Sequence, residues 1–390
     1  MKILSFTGSR AEYYILRPLF KLISLQSDID IELIVTGGII SESQNKTVND
    51  IEKDNIKIRE LLKIPNIFSS NSSHSETIGY LCLELPKIIR DYNPDLAIVY
   101  ADRYESFAFA IAASHCNVPV LHLEAGDVTE GGTYDDYIRH CISKMSHLFC
   151  TSTIKGKEVV KRLGEESWRV IQSGLLSYDD MALITNEDQN IILKRFNINQ
   201  KLPVILATMH PLPKDIIKTK KESENFFDAL KQISYENDVR ILITGPNSDF
   251  GSDIVREVIQ KRIKEIKNAT FYESLGGFNY QTIMSLTTKN KVIVCGNSSS
   301  IIKEAPFYNA HSLNVGDRQN SRESASTQHN CVAEKHEIVK SIKKLILKKH
   351  FNSQNPYFVK NSSEKVLKFI KYIFSTYTKK QILDKKWSSY

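Results

Sequence analysis

Short apolar runs alternate with longer amphipathic stretches along nearly the whole chain. In the first half KILSFT, IELIVT, LAIVYA, VPVLHLE and HLFCTS predict strands; in the second, PVILAT, VRILITG, ATFYES, KVIVCG and HSLNVG do. The runs are mostly continuous rather than alternating, the pattern of strands covered on both faces of a parallel sheet. Between them apolar residues recur at helical spacing, as in LRPLFKLISL, ETIGYLCLELPKIIRDY, ESFAFAIAASH, IVREVIQKRIKEI and EIVKSIKKLILKK. Strand–helix alternation of this kind predicts an α/β fold. The segment DYNPDLAIVYADRYESFAFAIAASHCNVPVLHLEAG shows it best. There Pro94 and Pro119 each stop a helix just before a strand, and each strand runs out into an acidic residue, Asp102 or Glu124.

Two such sheets fit the length, which is too great for one ordinary core. The first spans residues 1–175 and the second 176–362, so the fold class is two Rossmann-like domains with parallel sheets. A further helical pattern lies near 363–376. The polar stretch between about 41 and 76 is expected to be a long loop, of the kind that often forms a functional lid.

Composition removes several classes. With 41% hydrophobic and 25% charged residues, the chain is globular rather than disordered. No run approaches the roughly 18 apolar residues of a membrane span, and the start, MKILSFTGSRAEYY, lacks the features of a secretory signal. A cytoplasmic protein is therefore expected. Its six cysteines show no CxxC pair and read as small buried thiols, with Cys150 and Cys295 at strand ends. The net charge of +7 owes much to lysines near the C-terminus, in KSIKKLILKKH, KVLKFIKYI and YTKKQILDKKW. Lysine mixed with aliphatic residues at helical spacing reads as a solvated helix face, and no organised arginine–aromatic stripe suggests nucleic acid.

In open α/β sheets, ligands bind beyond the carboxyl ends of the strands. There the sequence places Gly8-Ser9-Arg10, then Asp102-Arg103, then Glu124-Ala125-Gly126, followed by Asp135-Asp136 and Arg139. In the second half it places His210-Pro211, then Gly296-Asn297-Ser298-Ser299-Ser300 leading to Glu304, and Asp317-Arg318-Gln319 with Arg322. Each has an ordinary structural reading too. Arg10 fits a surface turn, the Asp pair fits a helix N-terminus, and His210 fits a core position. Asp102 and Glu124 are harder to explain in that way, because a buried strand end suits an unpaired carboxylate poorly; pairing with Arg139 or Arg103 is the alternative. Gly-Asn-Ser-Ser-Ser between strand and helix suits a phosphate group. Neither a Walker motif, nor GxGxxG, nor a metal-ligand spacing is present, so no metal or organic cofactor is expected.

Taken in order, GSRAEY, YADRYES, HLEAGDVTEGG, YDDYIRHCISKMSHL, MHP, GNSSSIIKEAP and VGDRQNSR resemble the UDP-N-acetylglucosamine 2-epimerases over nearly the whole chain. The pattern after the Asp pair and the R-Q-x-x-R loop resemble the hydrolysing branch, which makes N-acetylmannosamine for bacterial sialic acid synthesis. The resemblance implies a GT-B-like arrangement with the active site between the domains, the final helix (about 363–390) packing back on the first domain, and a homodimer or homotetramer. It implies that Arg10, His210, Ser298, Ser299 and Arg318 bind the diphosphate of a UDP-sugar, with Asn297 and Arg322 in the same set and Glu304 on the ribose. Asp102, Glu124 and Asp135 become the catalytic carboxylates, organised by Arg139 and joined by His210. Ile15 and the Gly-Gly-Ile-Ile of residues 37–40 depart from many relatives, which carry a lysine and Gly-Met-His there; both changes are expected at the rim of the site.

Overall fold

The computed structural model describes residues 1–40, 45–65, 73–130, 134–247, 249–349 and 352–388. The chain divides into two compact units. Met1–Val128, Tyr134–Asp180 and Val359–Tyr390 make the first; Thr129–Thr133 and Met181–Phe358 make the second.

The first unit begins β1 (Lys2–Thr7), α1 (Arg10–Ser24), β2 (Asp30–Thr36), α2 (Asn45–Lys53), β3 (Lys57–Leu62) and α3 (Ser73–Tyr92). It continues β4 (Leu96–Tyr100), α4 (Tyr104–His115), β5 (Val120–Leu123), α5 (Asp135–Met145), β6 (Leu148–Thr151), α6 (Ile154–Arg162) and β7 (Val170–Gln172). A short helix, α7 (Ser177–Met181), leads into the second unit. There follow α8 (Asn186–Arg195), β8 (Val204–Thr208), α9 (Ile216–Glu236), β9 (Arg240–Thr244), α10 (Ser252–Arg262), β10 (Ala269–Tyr272) and α11 (Gly277–Ser285). Then come β11 (Val292–Gly296), α12 (Ser299–Lys303), β12 (His311–Val315), β13 (Gln328–Cys331) and α13 (Lys335–Leu347). The first unit is completed by α14 (Ser362–Thr376) and α15 (Lys379–Leu383).

Both sheets are parallel, in the orders β3-β2-β1-β4-β5-β6-β7 and β10-β9-β8-β11-β12-β13. Alternate residues of each strand serve opposite faces. Ile3, Leu33, Val35, Ile98 and Leu121 pack under α1 and α14, whereas Leu4, Phe6, Ile34, Val99 and Val120 pack under α3 and α4. Helix α14 contributes Val366, Phe369, Ile370 and Ile373 to the same core as α1. In the second unit Phe226, Phe227 and Leu230 of α9 and Ile338 and Ile342 of α13 share one core with β8, β9 and β11.

All ten apolar runs form strands. The three strands the pattern missed, β3, β7 and β13, lie at sheet edges and are short or polar (KIRELL, VIQ, QHNC). The stretch 41–76 is not a bare loop, because α2 and β3 occupy its middle; residues 41–44 and 66–72 lie outside the described residues. Cys150 and Cys295 are buried as expected, but Cys82, Cys116 and Cys331 are only half-buried and Cys141 is exposed. At residues 37–40, expected on the rim of the site, Gly38 is exposed and Gly37 half-buried. Ile39 is a fully buried core residue, and Ile15 and Ile40 pack against that core, because the chain continues from β2 in a short 3-10 turn that folds inward. Among the described residues, no helix is long and apolar enough to cross a membrane.

Candidate active site

In the first unit, β4 and β5 are neighbours, and each is followed by a residue with positive φ. Ala101 (φ 50°) follows Tyr100, and Glu124 (φ 57°) follows Leu123. Left-handed backbone at non-glycine residues is uncommon and costs free energy, so its repetition at adjacent strand ends marks a place where side-chain direction matters. The turn at Ala101 sends the chain to Asp102, whose carboxylate pairs with the Arg139 guanidinium. Arg139 is 1% exposed; it also donates to the Asp127 carbonyl at 2.8 Å and lies 3.5 Å from Asp136. Glu124 is buried and accepts a hydrogen bond from the Tyr100 hydroxyl at 2.9 Å. Burial first, and then the Glu124 charge, push the Tyr100 phenol well above its ordinary range, so it stays a donor.

Asp135 is the first residue of α5 and half-buried, one turn ahead of Arg139. Between the two strand ends, His122 is held through Nε2 and the Ala101 carbonyl (2.8 Å) and through Nδ1 and the Ser143 hydroxyl (3.0 Å). Burial lowers its pKa to about 4, so the ring is neutral near pH 7. Gly126 (φ 79°) cannot be replaced: a Cβ there would sit 2.1 Å from the Gly156 carbonyl oxygen.

The β1–α1 turn belongs to the same unit. Ser9 caps α1 by accepting from the Glu12 N–H at 3.3 Å, and Arg10 is the first helical residue. Arg10, expected in the diphosphate set, therefore stands on the first unit, whereas the rest of that set stands on the second.

In the second unit, β8 ends beside β11, and their following turns are locked together. Asn297 is fully buried; its Oδ1 accepts from the His210 N–H at 2.7 Å and its Nδ2 donates to the His210 carbonyl at 2.9 Å. The Asn297 carbonyl accepts from Arg318 (3.2 Å) and Gln319 (2.9 Å). Gly296 (φ 127°) makes the approach possible, since a Cβ would fall 1.8 Å from the Thr208 carbonyl oxygen. The Asn247 N–H donates to Nδ1 of His210 at 3.0 Å, so the proton of the neutral ring sits on Nε2. Burial, and then the Arg318 charge, lower the His210 pKa to about 3. His210 is thus a neutral donor.

Ser298 caps α12, and its hydroxyl accepts from the Ser300 hydroxyl at 3.1 Å; Tyr280 hydrogen-bonds Ser300 at 2.9 Å. Ser299 opens the helix, and Glu304 closes it, accepting from Gln281 at 2.9 Å. Arg318 and Arg322 lie on the loop after β12, where Arg322 donates to the Thr129 hydroxyl at 3.0 Å and Arg318 stands 3.8 Å from Asp249. His210, Asn297 and Arg318 therefore form one hydrogen-bonded set, while Ser298, the next residue in the chain, bonds Ser300, and Glu304 and Arg322 have partners of their own. Reasoning from strand ends reached His122 and Gln319 without giving them a role, and missed Tyr100 and Asn247. Of these, Tyr100 lies inside the quoted YADRYES, whereas Asn247 lies in no quoted motif. Among the described residues, no three His, Cys, Asp or Glu side chains are grouped to hold a metal ion.

The chain matches the protein family described as UDP-N-acetylglucosamine 2-epimerase over residues 22–371. It is 29% identical over 380 residues to UDP-N,N'-diacetylbacillosamine 2-epimerase (hydrolyzing) of Legionella pneumophila, covering 95% of this chain and 96% of that protein. It is 32% identical over 377 residues to polysialic acid biosynthesis protein P7 of Escherichia coli, covering 95% and 93%. The fold is similar to the crystal structure of UDP-GlcNAc 2-epimerase from Neisseria meningitidis bound to UDP-GlcNAc, with a TM-score of 0.81 at 21% identity over 95% of this chain and all of that one. With its paired Rossmann-like, GT-B-like units and a family match across most of its length, the chain belongs to the UDP-N-acetylglucosamine 2-epimerase family.

Proposed function

We propose that the protein is a hydrolysing 2-epimerase that converts UDP-N-acetylglucosamine and water to UDP and N-acetylmannosamine. The observation that supports this reading is the pairing of half-buried Asp102 with buried Arg139 at the strand end next to Glu124, a group of carboxylates of the kind that could move a sugar's C2 proton. That proton is not acidic on its own account. As the anomeric C–O bond to UDP breaks, positive charge builds on the ring and acidifies it. One carboxylate among Asp102, Glu124 and Asp135 takes the proton, the C1–O bond electrons leave with UDP, and a C1=C2 glycal remains. Water then adds its hydroxyl to C1, and a proton reaches C2 from the opposite face, giving the manno sugar. The charge growing on UDP is met by Arg10, Arg318, the Nε2–H of His210 and the turn from Asn297 to Ser299, with Arg322 in support and Glu304 on the ribose. One such preorganised donor is worth about 10²–10³ in rate. None of these steps asks for a metal or an organic cofactor. The subunits assemble as a homodimer or homotetramer.

Proton NMR with UDP-N-acetylglucosamine in deuterated water tests this. UDP and N-acetylmannosamine carrying deuterium at C2 are expected; UDP-N-acetylmannosamine without free sugar would place the enzyme in the non-hydrolysing branch. A second reading has a specific observation behind it, the likeness of the whole chain to the diacetylbacillosamine enzyme of Legionella pneumophila. On that reading the same chemistry acts on a UDP- or GDP-linked 2,4-diacetamido-2,4,6-trideoxy sugar, and the same spectra recorded with each substrate distinguish the readings.

A further inference from the structure

Glu12 is a carboxyl group that the chemistry above does not use, and it is 2% exposed. It lies in the first turn of α1 and reaches back past the helix cap. Its Oε2 accepts from the Gly8 N–H at 2.8 Å and from the Thr7 hydroxyl at 3.4 Å, and its Oε1 accepts from the Ser106 hydroxyl at 3.3 Å. Glu12 therefore ties the turn after β1 to the first turn of α4, which follows Asp102 and Arg103. The surroundings are closed. Glu105, 2% exposed, is bound by the Arg103 guanidinium at 2.6 and 3.1 Å, and its Oε1 lies 3.3 Å from where a Cβ on Gly8 would stand. A Cβ on Gly37 would fall 2.6 Å from the Gly8 carbonyl oxygen. The backbone that presents Arg10 thus has buried charge beneath it and little room to shift.

We propose that Glu12 is a positioning residue for nucleotide binding: it holds the turn that presents Arg10, and a nucleoside diphosphate bound at that turn is accompanied by proton uptake on the Glu12 carboxylate. The inference rests on the functional reading above. Two buried carboxylates, Glu12 and Glu105, share one guanidinium, so ionised Glu12 leaves the cluster one negative charge in excess. Burial raises the Glu12 pKa to about 7; Arg103 and the Gly8 N–H oppose the rise, and Glu105 adds to it. The Tyr100 hydroxyl, which binds Glu124, also feels the Glu12 charge. A diphosphate beside Arg10 brings further negative charge and raises Glu12 again. Protonation leaves the turn in place, because Oε2 continues to accept from Gly8 while Ser106 turns its hydroxyl to accept from the new O–H.

Calorimetric titration of UDP at pH 7, in two buffers of different ionisation enthalpy, tests the inference on the wild type, Glu12→Gln and Glu12→Ala. The wild type is expected to take up as much as about half a proton more than Glu12→Gln, since a group with a pKa near 7 is half-protonated beforehand. Glu12→Gln keeps the Gly8 hydrogen bond and is expected to bind UDP within about threefold of wild type, while Glu12→Ala binds about tenfold more weakly. Equal proton counts for wild type and Glu12→Gln, or unchanged affinity in Glu12→Ala, would overturn the inference and leave the functional reading standing. A wild type that does not bind UDP would overturn both. If Glu12→Ala does not fold, the proton count of Glu12→Gln decides.

Discussion

The main-chain amide and carbonyl of His210 are both satisfied by one side chain, that of Asn297 eighty-seven positions further on, at 2.7 and 2.9 Å. The side chain of one strand-end turn thus fixes the backbone of the other. Asn297→Ala would leave a half-buried N–H and a half-buried carbonyl without that partner, at about 1 kcal/mol each. We expect UDP affinity to fall by about 10–100-fold, read by calorimetry. Unchanged affinity would show that this pair of turns does not bind the nucleotide.

Asp102→Asn keeps a hydrogen-bond acceptor for Arg139 and removes the charge. We expect kcat to fall by about 10²–10⁴, with UDP affinity within threefold of wild type. Steady-state kinetics combined with UDP titration checks it. A parallel loss of UDP affinity would assign Asp102 to nucleotide binding instead.

Stability should rise between pH 4.5 and 6.5. His122, His147 and His311 are lowered to about 4 and His210 to about 3, chiefly by burial, so the unfolded chain binds protons there that the folded protein does not. His140 and His329 shift in the same direction. Glu12 and Glu222, both raised to about 7, act oppositely: their stabilisation is complete below the unfolded pKa near 4.5 and is lost as pH rises through 7. The histidines outnumber them, so Tm is expected to increase from pH 4.5 to 6.5. A flat or falling profile from thermal denaturation would contradict the burial of these rings.

Arg169 is 1% exposed and donates to the carbonyls of His147, Gln381, Ile382 and Asp384, at 3.3, 3.2, 2.6 and 3.1 Å. Next to it, Lys385 donates to the Ser146 carbonyl at the end of α5 and pairs with buried Glu165 at 2.8 Å. Arg169→Ala should lower stability by about 3 kcal/mol or more, as expected when buried acceptors lose a charged donor. Chemical denaturation measures it; a loss below about 0.5 kcal/mol would mean that Lys385 and the apolar contacts hold the C-terminal segment without Arg169.

Much of this was legible in the chain. Continuous apolar runs such as LAIVY and VIVCG specify central strands, and a parallel sheet sends whatever follows them to one edge, which is why Asp102, Glu124, His210 and Asn297 could be named. Of the four edge strands only β10 carries such a signal: KIRELL has exposed residues along most of its length, and QHNC is polar. Glu12 and Asn247 were illegible for another reason. Their roles come from contacts with Ser106 and His210, at separations that no periodicity encodes.

The division of the chain has a practical consequence for anyone cutting the gene. The first unit is made of three pieces, the last beginning at Val359, and the second unit holds Thr129, the hydrogen-bond partner of Arg322. A fragment ending at Asp180 lacks α14 and its share of the core, and a fragment of residues 181–358 lacks Thr129. Neither half is a contiguous coding segment. A stand-alone first unit needs residues 359–390 rejoined to residues 1–180 by a linker, because truncation at Asp180 removes the apolar residues of α14 from its core.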